Sequence, residues 1–512
     1  MVNYQNKKLT TMKDLNPFLA TDGYKTSHEK MYPEGTTLVY SNFTPRSGKH
    51  ANVENSKGVI SFGQQMVVRQ IYTMFRENFF GTTLTRTSVK KMQVLREIQQ
   101  EYSTYLGYDY DISHIRDLWG LGYLPVEIKS LPEGTFVPYG VPVLTIVNTK
   151  PEFFWLTNFL ETLISNLMWS PMTAATTAYD YKKTLLSYAK ETDENNIGVV
   201  DFQGHNFGMR GMAGLDATIY SGLGHATSFL GDDSLPTIAA ARKYYDEEGP
   251  VVFSVPATEH SVMCAGSKDD EISTFRYLME QFPTGILSIV SDTWDLWKVI
   301  TKMLPELKEE ILARDGKIVI RPDSGDPVDI ICGTNPKSID KYKSESRKAP
   351  EAMGVIELLW SIFGGTTNEQ GYKVLDSHIG CIYGDSITPL RAKQICEKLK
   401  TKGFATTNIV LGIGSFTYQF VTRDTHGFAC KATYVEIDGK GREIFKDPVT
   451  DDGTKKSAKG LLAVYKEEGE YLLGDQVHWE EESFGCLQTI FKNGEFYNKT
   501  TLTEIRDKIS KL

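Results

Sequence analysis

An irregular parallel α/β barrel joined to a mixed α+β domain is the fold class this sequence predicts, on three observations. After about residue 170, short β-branched apolar runs alternate with helical segments, the pattern of βα units around a parallel sheet. Each run ends in polar or glycine residues, as side chains at the mouth of such a barrel do. On either side of that region, helices mix with strand-like pieces. The predicted organisation is a helical and antiparallel-sheet region over 1–170, the barrel over 171–424 with its site at the strand C-termini, and a strand-rich 425–512 that completes the first domain. The 512 residues leave room for this, at roughly 150 residues per domain.

In the first region, the patterning predicts helices around Gln64–Phe80 and Ser88–Tyr105. Val126–Lys129, Phe136–Pro138 and Val143–Val147, divided by Leu131-Pro132-Glu133-Gly134 and Tyr139-Gly140, read as an antiparallel meander. The oily stretch Phe153–Trp169 starts after Pro151, is interrupted by Asn158, Glu161 and Asn166, and stops before Pro171, as a buried helix would. The barrel runs are Ile197–Val200, Val251–Val255, Leu287–Val290, Ile318–Ile320, Ile379–Tyr383 and Ile409–Leu411. Helices are expected at Ala240–Asp246, Ile272–Gln281, Trp294–Leu304, Ala349–Phe363 and Leu390–Lys400, and a solvated surface loop at Cys332–Lys348. Strands return at Phe428–Val435 and Leu461–Tyr465, and Thr501-x-x-Glu504 offers a capping box for a last helix.

Composition excludes several classes. Apolar residues make up 40% and charged residues 24%, the balance of a folded globular chain. A net charge of −9 argues against a general nucleic-acid binder, so any anion needs a local site. The six cysteines carry no C-x-x-C or zinc spacing and read as reduced core or inert surface thiols. The N-terminus is polar and no long apolar run occurs, so the expectation is a cytoplasmic protein with no membrane partner.

Several clusters past the strand ends carry chemistry. Arg321-Pro-Asp323-Ser-Gly325 sets a cation that can fork onto a diphosphate beside a carboxylate that can accept ribose hydroxyls, although a structural ion pair is the plainer alternative. Gly412-Ile-Gly414-Ser415 offers backbone N–H groups to a terminal phosphate, with Arg423 nearby in sequence, or is simply a tight turn. In Phe207-Gly-Met-Arg210-Gly, an aromatic that can stack on a flat ring precedes an arginine between glycines; a core phenylalanine is the ordinary alternative. Ser254-Val-Pro-Ala-Thr-Glu259-His260 makes His260 a candidate nucleophile or acid–base group, with His205 a weaker second. Asp292 is placed to orient His260 or ligate a cation, and Ser288 in the third run joins the candidate substrate contacts.

At these residues the chain resembles the nicotinamide phosphoribosyltransferases. The likeness runs from Thr21-Asp22-Gly23-Tyr24-Lys25-x-x-His28 and Tyr32-Pro33 through Pro132-Glu133-Gly134, Phe207-Gly-x-Arg210-Gly, Ser254-Val-Pro-Ala-x-Glu-His260-Ser, Val290-Ser-Asp292, Ile320-Arg-Pro-Asp-Ser-Gly325, Gly384-Asp385, Thr422-Arg-Asp424 and Phe445-Lys-Asp-Pro448, in the family's order. It implies condensation of nicotinamide with phosphoribosyl pyrophosphate to nicotinamide mononucleotide and pyrophosphate in NAD salvage, with Mg²⁺ and ATP coupling through a phosphohistidine. By the same likeness, Arg210 and Arg321 clamp the diphosphate and His260 contacts it and takes the phosphoryl group. Asp323 and Asp385 hold the ribose, Gly384 permits close approach, and Gly414, Ser415 and Arg423 cradle the 5′-phosphate. Phe207 forms one face of the nicotinamide sandwich. Tyr24, with Asp22 nearby, forms the other across a homodimer, and Arg46, Lys431 and Lys446 sit near the phosphates across that interface.

Asp233 is the residue expected to choose the base: a carboxylate accepts the carboxamide N–H but repels the carboxylate of nicotinate. Its neighbour Asp232 leaves the assignment between the two open. The sequence departs from the family at Asn206, where an acid usually precedes the phenylalanine, at Met209, where an aromatic is common, and at Ser415 in place of glycine. The alternative functions are a nicotinate phosphoribosyltransferase and a non-catalytic nucleotide-binding dimer of the same fold; the intact Arg321, Asp323, His260 and Asp292 weigh against the second.

Overall fold

The structure, a computed structural model, describes residues 15–82, 86–334, 349–446 and 458–512. They form two compact units: one within Met1–Thr173, Lys243–Asp246 and Thr422–Leu512, the other within Ala174–Arg242 and Glu247–Val421. Most of the expected Cys332–Lys348 loop, the first fourteen residues and the Asp447-Pro448 end of one motif lie outside the described residues.

The first unit is built on a seven-stranded antiparallel sheet. Thr36–Thr44 lies between Leu144–Asn148 and Ala429–Ile437, so the N- and C-terminal regions share one sheet. The meander is corrected: Val126–Ser130 pairs directly with Leu144–Asn148, while Phe136–Pro138 leaves to pair with Gly58–Ile60. Burial decides this, since Val59 and Val137 pack at 0% exposure in their own small ribbon. The expected helices appear as Gln64–Met74, continued by a π turn at Phe75–Phe80, and Ser88–Leu106. The capping box also forms: Thr501 Oγ1 accepts from Glu504 N at 3.1 Å and Glu504 Oε2 accepts from Thr501 N at 2.9 Å.

The stretch after Pro151 does not stop before Pro171 but runs as a single helix, Trp155–Thr192. Proline removes one helical donor, yet Met168, Met172, Ala175 and Ala178 are buried on either side, and packing outweighs the local penalty.

The second unit carries the predicted irregular barrel. Six parallel strands run in the order Gly231–Asp232, Gly204–Asn206, Ile409–Ile413, Ile379–Tyr383, Asp315–Arg321 and Thr284–Val290. The sheet curls until its two edges share one connecting segment, through the parallel bridges Gly231↔Phe253 and Ala257↔Ser288. Val251–Val255 is therefore not a regular strand but the start of a seam that runs on to Thr258: Phe253 bonds to Leu230 and Asp232 at one edge, and Pro256 and Thr258 bond to Ser288 at the other. Ile197–Val200 is not a strand either. It falls in the 3-10 turn Glu194–Val199 and the helical turn Val200–Gln203, because only Val200 of the run is buried. Ile379–Tyr383, buried at every position, is the clearest of the fully covered strands.

Helices Glu271–Gln281 and Pro389–Thr401 match expectation in place, Leu235–Tyr245 starts ahead of the expected Ala240, and Leu304–Leu312 is a helix the patterning did not predict. Trp294–Leu304 begins instead at Leu296 and passes through a π turn at Val299–Met303, and Ala349–Phe363 is broken at Gly354, whose φ of +79° no helix adopts. The core between sheet and helices is aliphatic, with Ile289, Ile318, Ile320, Leu411 and Ile413 fully buried.

One buried carboxylate anchors the first unit. Glu133, expected only as a turn residue, accepts from Gly63 N at 3.1 Å, Gln65 N at 2.6 Å and Tyr245 Oη at 2.9 Å, so it caps the helix Gln64–Met74 from a separate loop. Glu133→Ala should lower the urea-unfolding free energy of the first unit by about 2–4 kcal/mol, because three buried donors lose their acceptor, and Glu133→Gln should cost less.

Candidate active site

Parallel register places the C-terminal ends of the barrel strands on one rim, and a cavity of about 690 Å³ opens there. It brings together Phe207, Arg210, Asp233, Arg321, Asp323, Gly384, Asp385, Gly414 and Ser415, all singled out in the sequence. Phe207 follows the strand Gly204–Asn206, and its N–H donates to Ile413 O at 2.9 Å. Its ring lies over Gly412, where a Cβ would strike it, and 4.9 Å from the His205 ring. Gly384 is required for closeness as well: a Cβ there would collide with the Asp323 carboxylate.

The Arg321–Asp323 corner is held by its neighbours. Asp292 Oδ2 accepts from Asp323 N at 2.8 Å and Ser324 Oγ at 2.6 Å, while Arg321 donates to Thr258 O at 2.5 Å. Burial lowers the affinity of the Arg321 guanidinium for its proton, and Asp323, Asp233 and Asp292 oppose that shift. An arginine remains charged under such conditions. His260 Nε2 lies 3.6 Å from Asp323 Oδ2, and its Nδ1 is 3.0 Å from Thr293 Oγ1. The direct partner of Nδ1 is thus Thr293, and the Asp292 carboxylate turns to the 323–324 backbone and hydroxyl. Ser288 is buried in its strand with its hydroxyl unpartnered, and does not line the cavity.

Asp232 and Asp233 separate cleanly. Asp233 lines the cavity, half exposed; its Oδ1 accepts from His205 Nε2 at 2.9 Å and from the Ser254 hydroxyl. Burial would raise its pKa, but the His205 hydrogen bond and charge, with Ser254 and Arg321, outweigh that and hold the carboxyl below its usual range. Asp232 is 5% exposed and turned inward.

Gly414 opens the helical turn Ser415–Tyr418. Past it, Phe416 and Phe420 face each other at 5.0 Å and line the cavity, as do Met209 and Ser386, the last at a φ of +55°. Sequence reading missed Thr258, Thr293 and the Phe416–Phe420 pair; only the latter had a local signal, two aromatics just beyond a glycine-rich strand end.

The remaining candidates belong to the first unit. Tyr24 is 62% exposed beside His28, and Asp22 Oδ2 accepts from Thr162 Oγ1 at 2.9 Å. Arg423 meets Asp424 at 3.3 Å. Lys431 is partly buried, which lowers its pKa; Glu161 opposes that shift, and Arg46 and Lys446 add to it, so these three cations are neighbours. Arg46 Nε donates to Gly427 O at 2.8 Å.

The nicotinate phosphoribosyltransferase family model matches residues 202–495, and that of the nicotinamide phosphoribosyltransferase N-terminal domain matches 16–128. The chain belongs to the nicotinate phosphoribosyltransferase family, which are pentosyltransferases. Within it, the chain is 47% identical to a nicotinamide phosphoribosyltransferase of Acinetobacter baylyi over 97% of both chains. It is 34% identical to that of Mycoplasma pneumoniae over 88% of this chain and 97% of the relative. In fold it is similar to the human nicotinic acid phosphoribosyltransferase, at a TM-score of 0.53 and 16% identity over 96% of this chain and 93% of that one. It is also similar to a nicotinate-nucleotide pyrophosphorylase from Pyrococcus furiosus, at 0.54 and 15% over 100% and 98%.

Asp232 gives a pH test. Burial pushes its pKa up to about 6, against hydrogen bonds from Ser234, Thr237 and Asn206. The native value exceeds the unfolded one, so this stabilisation is complete below the ordinary carboxylate range and is lost as pH rises through about 6. Asp232→Asn should be free of that loss: urea-unfolding free energies measured from about pH 4 to about pH 7 should shift in the variant's favour by on the order of 2 kcal/mol.

Proposed function

We propose that this enzyme joins nicotinamide to phosphoribosyl pyrophosphate, giving nicotinamide mononucleotide and pyrophosphate in NAD salvage. The observation that carries the reading is the placement of Asp233 and Phe207 in the same cavity as Arg210, Arg321, Asp323 and Asp385. An aromatic face and an anionic acceptor suit a neutral pyridine amide, and two arginines beside carboxylates suit a ribosyl diphosphate. As the bond from the anomeric carbon to the diphosphate oxygen breaks, its electron pair leaves with pyrophosphate. Arg210 and Arg321 stabilise that growing negative charge, and Asp323 and Asp385 face the ribose as it becomes cationic. Phe207 holds the pyridine nitrogen behind the anomeric carbon, where its lone pair forms the new C–N bond.

Among the described residues no group of three or more His, Cys, Asp or Glu side chains is placed to hold a metal ion. Asp292 Oδ1 is nevertheless buried and without a hydrogen-bond partner, which fits Mg²⁺, an ion held through one or two carboxylates together with substrate phosphates. Bound there, Mg²⁺ would offset diphosphate charge. In the same reading a ring nitrogen of His260 takes the terminal phosphoryl group of ATP, releasing ADP, and hydrolysis of that N–P bond drives the synthesis. Gly414 and Ser415 cradle the 5′-phosphate. Tyr24 and Asp22 complete the base site across a homodimer, with Arg46, Lys431 and Lys446 near the phosphates. The enzyme works in the cytoplasm; among the described residues no helix is long and apolar enough to cross a membrane.

Mass-resolved product analysis with phosphoribosyl pyrophosphate, Mg²⁺, each base in turn, and ATP present or omitted tests the reaction. Nicotinamide mononucleotide should dominate; a preference for nicotinate would overturn the reading. Asp233→Asn should lower the amide-over-acid preference in kcat/KM by about ten-fold or more. Tyr24→Ala and Asp323→Ala chains, each inactive, should regain activity when mixed, through hybrid sites; confirmed heterodimers without recovery would exclude a shared site.

A further inference from the structure

We infer that Asn206 and Asp232, neither of which lines the cavity, form a positioning pair that locks Phe207 and Asp233 into one rigid amide-reading unit. The inference rests on the reading of the cavity as a nicotinamide site. Asn206 and Asp232 are register partners on adjacent parallel strands, and the residue after each, Phe207 and Asp233, enters the cavity. Asn206 ties the two together through three of its polar groups. Its Nδ2 donates to Asp232 Oδ1 at 3.1 Å, its Oδ1 accepts from Gly208 N at 3.0 Å, and its carbonyl accepts from Asp233 N at 3.0 Å. The backbone on both sides of Phe207 is thereby fixed, since Phe207 N is already bonded to Ile413 O. Asp232 is held from the other side by Ser234 N at 2.5 Å and Thr237 Oγ1 at 2.8 Å, and its N–H donates to Phe253 O on the seam at 3.0 Å. Asn206 is 1% exposed, so water does not replace a lost partner.

An acid at position 206 would keep the contact with Asp232 only while the two carboxyls share a proton. Asparagine at 206 keeps one carboxylate and one amide in the pair, which satisfies both without a shared proton. A misplacement of either wall weakens the grip on the base and leaves the phosphoribosyl contacts at Arg321, Asp323 and Asp385 untouched, so the pair bears chiefly on the base, with Arg210 the one diphosphate contact on the same loop.

The test is steady-state kinetics of the full-length enzyme, with each substrate varied in turn, for Asn206→Ala, Asn206→Asp and Thr237→Val. In Asn206→Ala the KM for nicotinamide should rise about ten-fold with the KM for phosphoribosyl pyrophosphate within about two-fold of the wild type. Asn206→Asp should show the same rise at alkaline pH and recover as pH falls, when the two carboxyls share a proton. Thr237→Val, outside the cavity and milder for folding, should raise the nicotinamide KM by about two- to three-fold. Folded variants with an unchanged nicotinamide KM, or with both KM values raised equally, would overturn the pair's role while the reaction stands. A wild type inactive on nicotinamide would instead remove the reading beneath it.

Discussion

Parallel hydrogen-bond register is the constraint on which the site depends. Strands that run the same way must all present their C-terminal ends on one side, and the crossovers then return on the other. Residues as distant in sequence as Phe207 and Gly414 become neighbours because Ile413 pairs with Asn206, and Asp323 meets Asp292 because Val290 pairs with Arg321. No local motif makes that geometry, and the loops need only be short and polar once it exists.

Charge is distributed on this rim by burial and pairing. Arg321, drawn inward and surrounded by Asp233, Asp292 and Asp323, keeps its proton, while Asp233 keeps its negative charge through His205 and Ser254. Opposite charges are thus held at short range without cancelling, because each is fixed to its own strand end by backbone or hydroxyl contacts. A site arranged in this way has met its reorganisation cost before any anion or neutral ring arrives.

What the sequence disclosed follows from how strongly each element is buried. Ile379–Tyr383 and Ile409–Leu411 read as strands because both faces are covered, so every position is apolar or small. Gly204–Asn206 and Gly231–Asp232 gave no such pattern: they are short, polar and glycine-containing, and are strands only because the sheet closes over them. Pro171 looked like a stop, and tertiary packing carried the helix through it. The site residues were legible where a charged or glycine residue followed an apolar run, as at Arg321 and Gly384. Thr258 and Thr293 were not, since their value lies in one carbonyl or hydroxyl aimed by the fold. Whether Asp232 or Asp233 faced the cavity depended on where a two-residue strand, Gly231–Asp232, ends, which no sequence pattern of that length conveys.

The seam that closes the barrel has no ladder of its own, and one of its carbonyls, that of Thr258, is gripped by the Arg321 guanidinium. The same cation therefore rivets the wall and greets the incoming anion. Selection for a sound scaffold and selection for turnover bear on a single side chain, so drift at this position is barred twice over, and a dead variant there would report a sprung joint as readily as a missing charge.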